Sequence, residues 1–327
     1  MQTRTLSKNL TVSAVGLGCM GMSEFYGPRD DQDSLNVLRR AVDLGVTFFD
    51  TADMYGSGHN EDLLGQFLSD SKADAVIATK FGIRRDPGQY ARTLDNSPEY
   101  LRTACEASLK RLGRDHIDLY YVHRLDRSRP VEDVMGELSL LVEEGKIGQI
   151  GLCEVSIETL LRAHAVHPVA ALQTEFSLWS REVEAEILPA CKEHGIGFVA
   201  YSPLGRGFLS GTFNRTTQFK DGDFRVTLPR FSPDNIQQNW GMVEVLQKMA
   251  KEKNCSPAQL ALAWVLSKGE NIIPIPGTRQ ISYLEQNVAA VDLVLSEADV
   301  THLEESLASI EIKGSRYTEE GMKGVDA

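Results

Sequence analysis

From about residue 13 to residue 290, apolar runs of strand length alternate with segments whose apolar positions recur every three or four residues. The runs SAVGLGC, VTFFD, AVIATK, IDLYYV, KIGQIGLC, VAALQTEF, GIGFVAYS and NIIPIP read as eight strands. Between them lie amphipathic helices, with apolar stripes such as Leu35, Leu38, Ala41 and Val42, and Leu101, Cys105, Leu109 and Leu112. Ser97 before Pro98, and Ser256 before Pro257 with Gln259, supply cap, first-turn and capping-box signals where two of those helices should begin.

Short Val- and Ile-rich strands, each followed by a helix, demand a parallel sheet, and eight such units close a (β/α)8 TIM barrel. A doubly wound sheet is the competing α/β architecture. Gly16, Gly18 and Gly21, the glycine cluster after the first strand, lack the spacing of a dinucleotide fingerprint and do not open a helix at once. The chain, 327 residues long, is therefore expected to form a single barrel domain over 1–327. Two segments exceed the repeat. Residues 205–240, after the seventh strand, form a long polar, glycine-containing loop that reads as a lid. Past residue 295, LSEADVTHLEESLASI predicts an extra C-terminal helix, and the polar end after it either folds over the rim or frays.

Charge narrows the partners. Asp plus Glu total 46 against 34 Lys plus Arg, a formal net charge of −12, so nucleic acid is excluded as a partner by the acidic field and the lack of a dense basic run. A small anionic cofactor needs only a few placed cations and stays compatible. Five scattered cysteines without CxxC spacing argue against a disulfide framework or a zinc site and fit a reducing compartment. No signal-peptide pattern and no apolar stretch of about 18 residues is present, so the expected location is the cytoplasm, away from membranes. No feature of the sequence specifies an oligomeric state.

Barrel active sites lie at the C-terminal ends of the strands. There the reactive residues are Asp50 closing VTFFD, Tyr55 in the loop beyond it, Lys80 closing AVIATK, and His123 closing IDLYYV. Singly, each has an ordinary explanation: a loop-capping carboxylate, a solvated strand end, a tyrosine packed on the rim, a satisfied histidine. Together they propose chemistry. A phenol, with a usual pKa near ~10, becomes a better acid beside an ammonium that stabilises its phenolate, and a carboxylate can hold that ammonium in place. A neutral histidine can donate a hydrogen bond to a carbonyl oxygen as negative charge develops on it. No His, Cys and carboxylate cluster has metal-ligand spacing, so redox chemistry here calls for an organic cofactor.

The segments DTADMYGSGHNE, IATKFG, YYVHR, LQTEFSLWSR, AYSPLGRGFLSG, IPIPGTR and LEQN resemble, in order and from first strand to last helix, the aldo-keto reductase superfamily, in its bacterial and plant-type branches. The resemblance implies an NADPH-dependent reduction of small aldehydes or ketones, with Tyr55 as general acid, Lys80 and Asp50 tuning it, and His123 orienting the carbonyl. It further implies an extended NADP(H) across the barrel mouth. Tyr201 would stack on the nicotinamide, Gln173 and Cys153 would contact its carboxamide, and Gly21 and Met22 would line the same ring. Ser202, Leu204, Gly205 and Gly207 match the pyrophosphate loop. Gly277, Thr278 and Arg279 would receive the 2'-phosphate, with Gln286 and Asn287 on the adenine side. Cys153 stands where the family commonly has Ser, which weakens the side-chain contact to the carboxamide. Met22, Tyr26, Met54, Phe81 and Trp179 suggest an apolar substrate pocket.

Two other functions fit parts of the pattern. An NADPH-binding regulatory or sensor protein would keep the cofactor motifs but turn over little. A lyase forming a Schiff base on Lys80 would use the strand-end lysine, although Asp50 and the cofactor motifs oppose it.

Overall fold

The computed structural model describes residues 1–85, 92–220 and 222–326. A hairpin, β1 (Thr3–Ser7) and β2 (Leu10–Ser13), precedes the first barrel strand β3 (Leu17–Gly18) and helix α1 (Asp31–Asp43). Then follow β4 (Phe48–Asp50), α2 (His59–Ser71), β5 (Val76–Phe81), a small antiparallel pair β6 (Ile83–Arg85) and β7 (Arg92–Leu94), and α3 (Pro98–Leu112). The repeat continues with β8 (Ile117–Val122), α4 (Val131–Glu143), β9 (Ile147–Cys153), α5 (Ile157–Val166), β10 (Val169–Glu175) and α6 (Ile187–Glu193). After β11 (Gly197–Tyr201) come α7 (Pro233–Glu252) and α8 (Pro257–Ser267), then β12 (Ile272–Pro274), α9 (Ile281–Ala289), α10 (Glu297–Ala308) and α11 (Glu319–Met322).

Eight of these strands form one parallel sheet in the order β3, β4, β5, β8, β9, β10, β11, β12. It curls until its ends meet, where the Gly16 N–H donates to the Pro274 carbonyl at 3.0 Å. This is the (β/α)8 barrel, and each of the eight expected strands contributes to it. The first is shorter than its apolar run, because Ser13 pairs back into the hairpin instead. The helix starts follow their signals: Ser97 accepts from the Tyr100 N–H, and Ser256 with Gln259 forms a reciprocal capping box.

Strand pleating sorts the core into two compartments. Phe48, Ala78, Leu119, Tyr121, Val199 and Ile273 gather inside the barrel with Leu6, Leu10 and Val12 of the hairpin. Their neighbours Phe49, Ile77, Tyr120, Val122, Phe198 and Ile272 face outward and pack under the helices. The hairpin thus plugs one end of the barrel with hydrocarbon. Gly197 permits the close approach, since a Cβ there would lie 2.6 Å from the Leu6 Cα and from its carbonyl oxygen.

The expected lid is shorter than 205–240. It passes through three 3₁₀ turns, Gly205–Ser210, Phe224–Thr227 and Pro229–Phe231, and α7 begins at Pro233, with Ser232 capping the Asn235 N–H. Ser232–Pro233 is the same start signal seen at α3 and α8. Asp221, within the expected lid, and Ala327 lie outside the described residues. The segment is anchored on both sides: Phe208 stacks on Trp179 at 4.2 Å, and the Phe224 N–H donates to the Phe25 carbonyl at 2.8 Å. The expected extra helix is α10. Beyond it the chain folds over the rim, where Arg316 holds both carboxylate oxygens of Glu154 at 3.0 Å and Tyr317 shares a 2.8 Å hydrogen bond with Tyr201. Among the described residues no helix is long and apolar enough to cross a membrane.

Gly197→Ala is expected to destabilise the protein by about 1–3 kcal/mol, because backbone rather than a flexible side chain must yield. The urea unfolding midpoint measures it; an unchanged midpoint contradicts the plug.

Candidate active site

The pleat that builds the core also places the chemistry. Asp50 lies two residues beyond inward-facing Phe48, Lys80 two beyond Ala78, and His123 two beyond Tyr121, so all three continue inward rows at the same barrel mouth. Cys153 ends β9, Tyr201 ends β11, and Gln173 sits near the end of β10 on the same parity. Tyr55 comes from the loop after β4, where its N–H donates to the Ala52 carbonyl and turns the chain back over the mouth.

These side chains meet. The Lys80 ammonium, with no exposed surface, donates to Asp50 Oδ1 at 2.5 Å and to the Thr51 carbonyl at 2.7 Å, and lies 3.4 Å from the Tyr55 hydroxyl. The Gln173 amide donates to Asp50 Oδ2 at 2.7 Å. The His123 ring stands edge-on to Tyr55, with centroids 5.8 Å apart and planes at 86°.

Burial sets the protonation states. Burial pushes the Tyr55 phenol above its ordinary value and Lys80 pulls it back, with the net direction upward. Tyr55 is therefore a neutral donor across the neutral range, and the ammonium's role is to limit the rise. Burial also works against the charge on Lys80, but Asp50 and Tyr55 outweigh it and hold the ammonium ionised. The Asp50 carboxyl is raised by burial against the pull of Lys80 and Gln173. His123 is kept well below its usual 6.5, first by burial and then by Lys80, Arg124 and Arg92. The Cys153 thiol is pushed up to about 12 by burial and stays protonated.

A cavity of about 610 Å³ runs across this mouth. Asp50, Tyr55, His123, Gly21, Cys153, Gln173, Tyr201, Ser202, Leu204 and Gly207 line it, as do Gly277, Thr278, Arg279, Gln286 and Asn287 at the start of α9 and along it. Lys80 lies directly behind the wall. Two expected residues do not reach the cavity. Met22 turns into the outer core from a one-turn 3₁₀ helix whose Met20 and Gly21 face the cavity instead. Gly205 is buried against Trp179, whose ring a Cβ there would meet at 2.8 Å. Of the suggested apolar pocket, Tyr26 and Met54 line the cavity, while Phe81 and Trp179 pack in the outer core.

Arg279 uses its guanidinium to hold the Tyr26 carbonyl at 2.6 Å and the Pro28 carbonyl at 2.5 Å, tying the start of α9 to the loop after β3. Several lining residues carry no expectation from the sequence, among them Arg92, Arg124, Arg206, Arg225 and Tyr317. Arg124 was visible as the residue after His123 in YYVHR, and Arg206 as the centre of GRG.

The sequence pattern of the Aldo/keto reductase family matches residues 14–308. A curated relative, the aldo-keto reductase yakc [NADP(+)] of Schizosaccharomyces pombe, is 44% identical over 314 residues, 94% of this chain and 92% of that one. Among solved structures, the glycerol dehydrogenase of Gluconobacter oxydans superposes with a TM-score of 0.88 at 28% identity, over 96% of this chain and 97% of that one. The holo form of an aldo-keto reductase from Bacillus halodurans gives a TM-score of 0.76 at 25% identity, over 98% and 99%. The chain belongs to the aldo/keto reductase family.

Below pH 6.5 the unfolded chain protonates His123 while the folded protein refuses the proton, so stability falls as pH drops. For one histidine the slope is about 1.4 kcal/mol per pH unit. His123→Gln is expected to flatten the fall in melting temperature between pH 7 and pH 5; an unchanged slope contradicts a neutral His123.

Proposed function

We propose that the protein is an NADP(H)-dependent oxidoreductase that reduces aldehyde or ketone carbonyls to alcohols, with Tyr55 as general acid. It works as one catalytic barrel unit over 1–327, in a reducing, cytoplasmic setting, with the segment after β11 as a lid. The observation that carries this reading is the Tyr55 hydroxyl at the wall of the cavity, 3.4 Å from an ammonium that is itself neutralised by Asp50.

The cavity suits the cofactor named for the yeast relative. Its length is lined at one end by Tyr201, Gln173 and Cys153 and at the other by Gly277, Thr278 and Arg279. Gly18 and Gly277 let the end of β3 and the segment after β12 pack backbone to backbone in its wall: a Cβ on Gly18 would lie 2.8 Å from the Ile275 carbonyl, and one on Gly277 equally close to the Gly18 carbonyl. Tyr201 offers a ring face for stacking. The Gln173 amide, its N–H committed to Asp50, presents its carbonyl as an acceptor for the carboxamide. Arg279 and the α9 N-terminus suit a phosphate dianion. When bound, the dinucleotide supplies a hydride to the carbonyl carbon.

The chain's own residues manage the proton. His123, neutral through burial, donates to the carbonyl oxygen and orients it. Tyr55 gives its proton to that oxygen as charge builds there. The phenolate left behind is stabilised by Lys80, and Asp50 keeps the ammonium pointed at it.

Tyr55→Phe is expected to lower kcat about 10²- to 10⁴-fold with an aldehyde panel, while the Kd for NADPH, read by fluorescence quenching, changes little. Undiminished turnover contradicts the acid role. Binding of NADPH by the unmodified protein without turnover of any aldehyde would instead mark a sensor.

A further inference from the structure

Five guanidiniums line the cavity, and three are already engaged. Arg206 is paired with Glu175 at 2.9 Å, Arg225 grips Asp223 at 2.6 Å, and Arg279 holds two backbone carbonyls. Arg124 and Arg92 form no salt bridge among the described residues. Arg124 is only 7% exposed; one Nη donates to the His123 carbonyl, and its Nε has no partner. Glu154, the carboxylate whose field reaches it, has both oxygens held by Arg316. Arg92, exposed at the start of β7, lines the same cavity and lies within the fields of Arg124, which repels it, and of Glu320, which attracts it. Arg124 follows His123 in the chain and donates to its carbonyl at 2.8 Å, which puts it on the carbonyl side of the cavity that Arg92 also lines.

A guanidinium withdrawn from water with no carboxylate of its own is costly, and that cost falls on Arg124, with the Arg92 cation at the same cavity adding to it. Among the described residues, neither Arg124 nor Arg92 holds an element in place through a carboxylate. The planar fork of arginine matches a carboxylate, with two parallel charge-assisted hydrogen bonds.

We propose that Arg124 and Arg92 form a carboxylate-binding subsite, and that the substrate is an aldehyde or ketone carrying a carboxylate group. The inference rests on the reductase reading for its carbonyl and adds the chemical class of the rest of the molecule. The carbonyl lies at Tyr55 and His123, and the carboxylate at the guanidinium next along the chain. The chain is acidic overall, with a net charge of −12, so this local pair would select anions that the protein as a whole repels.

The test compares 4-carboxybenzaldehyde with its uncharged methyl ester, methyl 4-formylbenzoate, as substrates with NADPH at pH 7. The wild type is expected to favour the acid at least tenfold in kcat/KM, chiefly through KM, and added salt should narrow that ratio. Arg124→Gln should cut the ratio at least tenfold, and Arg92→Gln, at a more exposed position, provides the same test should the first variant fail to fold. Equal kcat/KM for acid and ester in the wild type, or a ratio untouched in both variants, overturns the subsite. If neither aldehyde is reduced, the reductase reading has failed, and calorimetric binding of 4-carboxybenzyl alcohol decides the subsite by itself. Binding that weakens at least tenfold in Arg124→Gln supports it; no binding by the wild type overturns it.

Discussion

One ion pair, Lys80 with Asp50, sits at the top of the barrel, between a hydrocarbon layer beneath it and the cavity above. Withdrawing two charges from water costs several kcal/mol per ion, and Coulomb attraction offsets this only with good geometry and further hydrogen bonds. The protein supplies both. The ammonium also donates to Thr51, and the second carboxylate oxygen accepts from Gln173. With that pair fixed, the Tyr55 hydroxyl has a cation at a set distance, and His123 is kept neutral by burial first and by that same charge second. The site is the top layer of the barrel core, built on the strand alternation that gives the fold its packing.

The two ends of the barrel divide the work. The N-terminal hairpin fills one end with Leu6, Leu10 and Val12, which leaves the other free for polar groups. There the tail and the segment after β11 close over the mouth through Arg316, Tyr317 and Phe224. Enclosure strengthens every electrostatic contact within, because little water remains to screen it. It also explains why burial is the leading influence on Tyr55, His123 and Cys153 alike.

Much of this was legible in the sequence because it follows from period and order. A strand of alternating parity ending in Asp, Lys or His points that residue inward at the mouth, so Asp50, Lys80 and His123 could be read from their runs. Tyr55 and the loops bearing Gly207 and Arg279 were found by motif order. What escaped depends on three-dimensional closure. Met22 and Gly205 stand in the right motifs, yet a single 3₁₀ turn and a neighbouring Trp179 decide which face each shows. The hairpin's short strands carry too few apolar residues to announce a plug. The α7 start at Ser232–Pro233 was present but hidden in a polar stretch. Arg92 and Arg124 could not be told from ordinary surface cations, because only the fold brings them to the wall of the cavity.

The central claim is that the Lys80 ammonium lowers the cost of ionising Tyr55. Its most direct test is the titration of Tyr55 followed by NMR of a ¹³C-labelled ring carbon, in the wild type and in Lys80→Met. The account predicts a higher midpoint in the variant, where burial acts on the phenol unopposed. An equal or lower midpoint would contradict it.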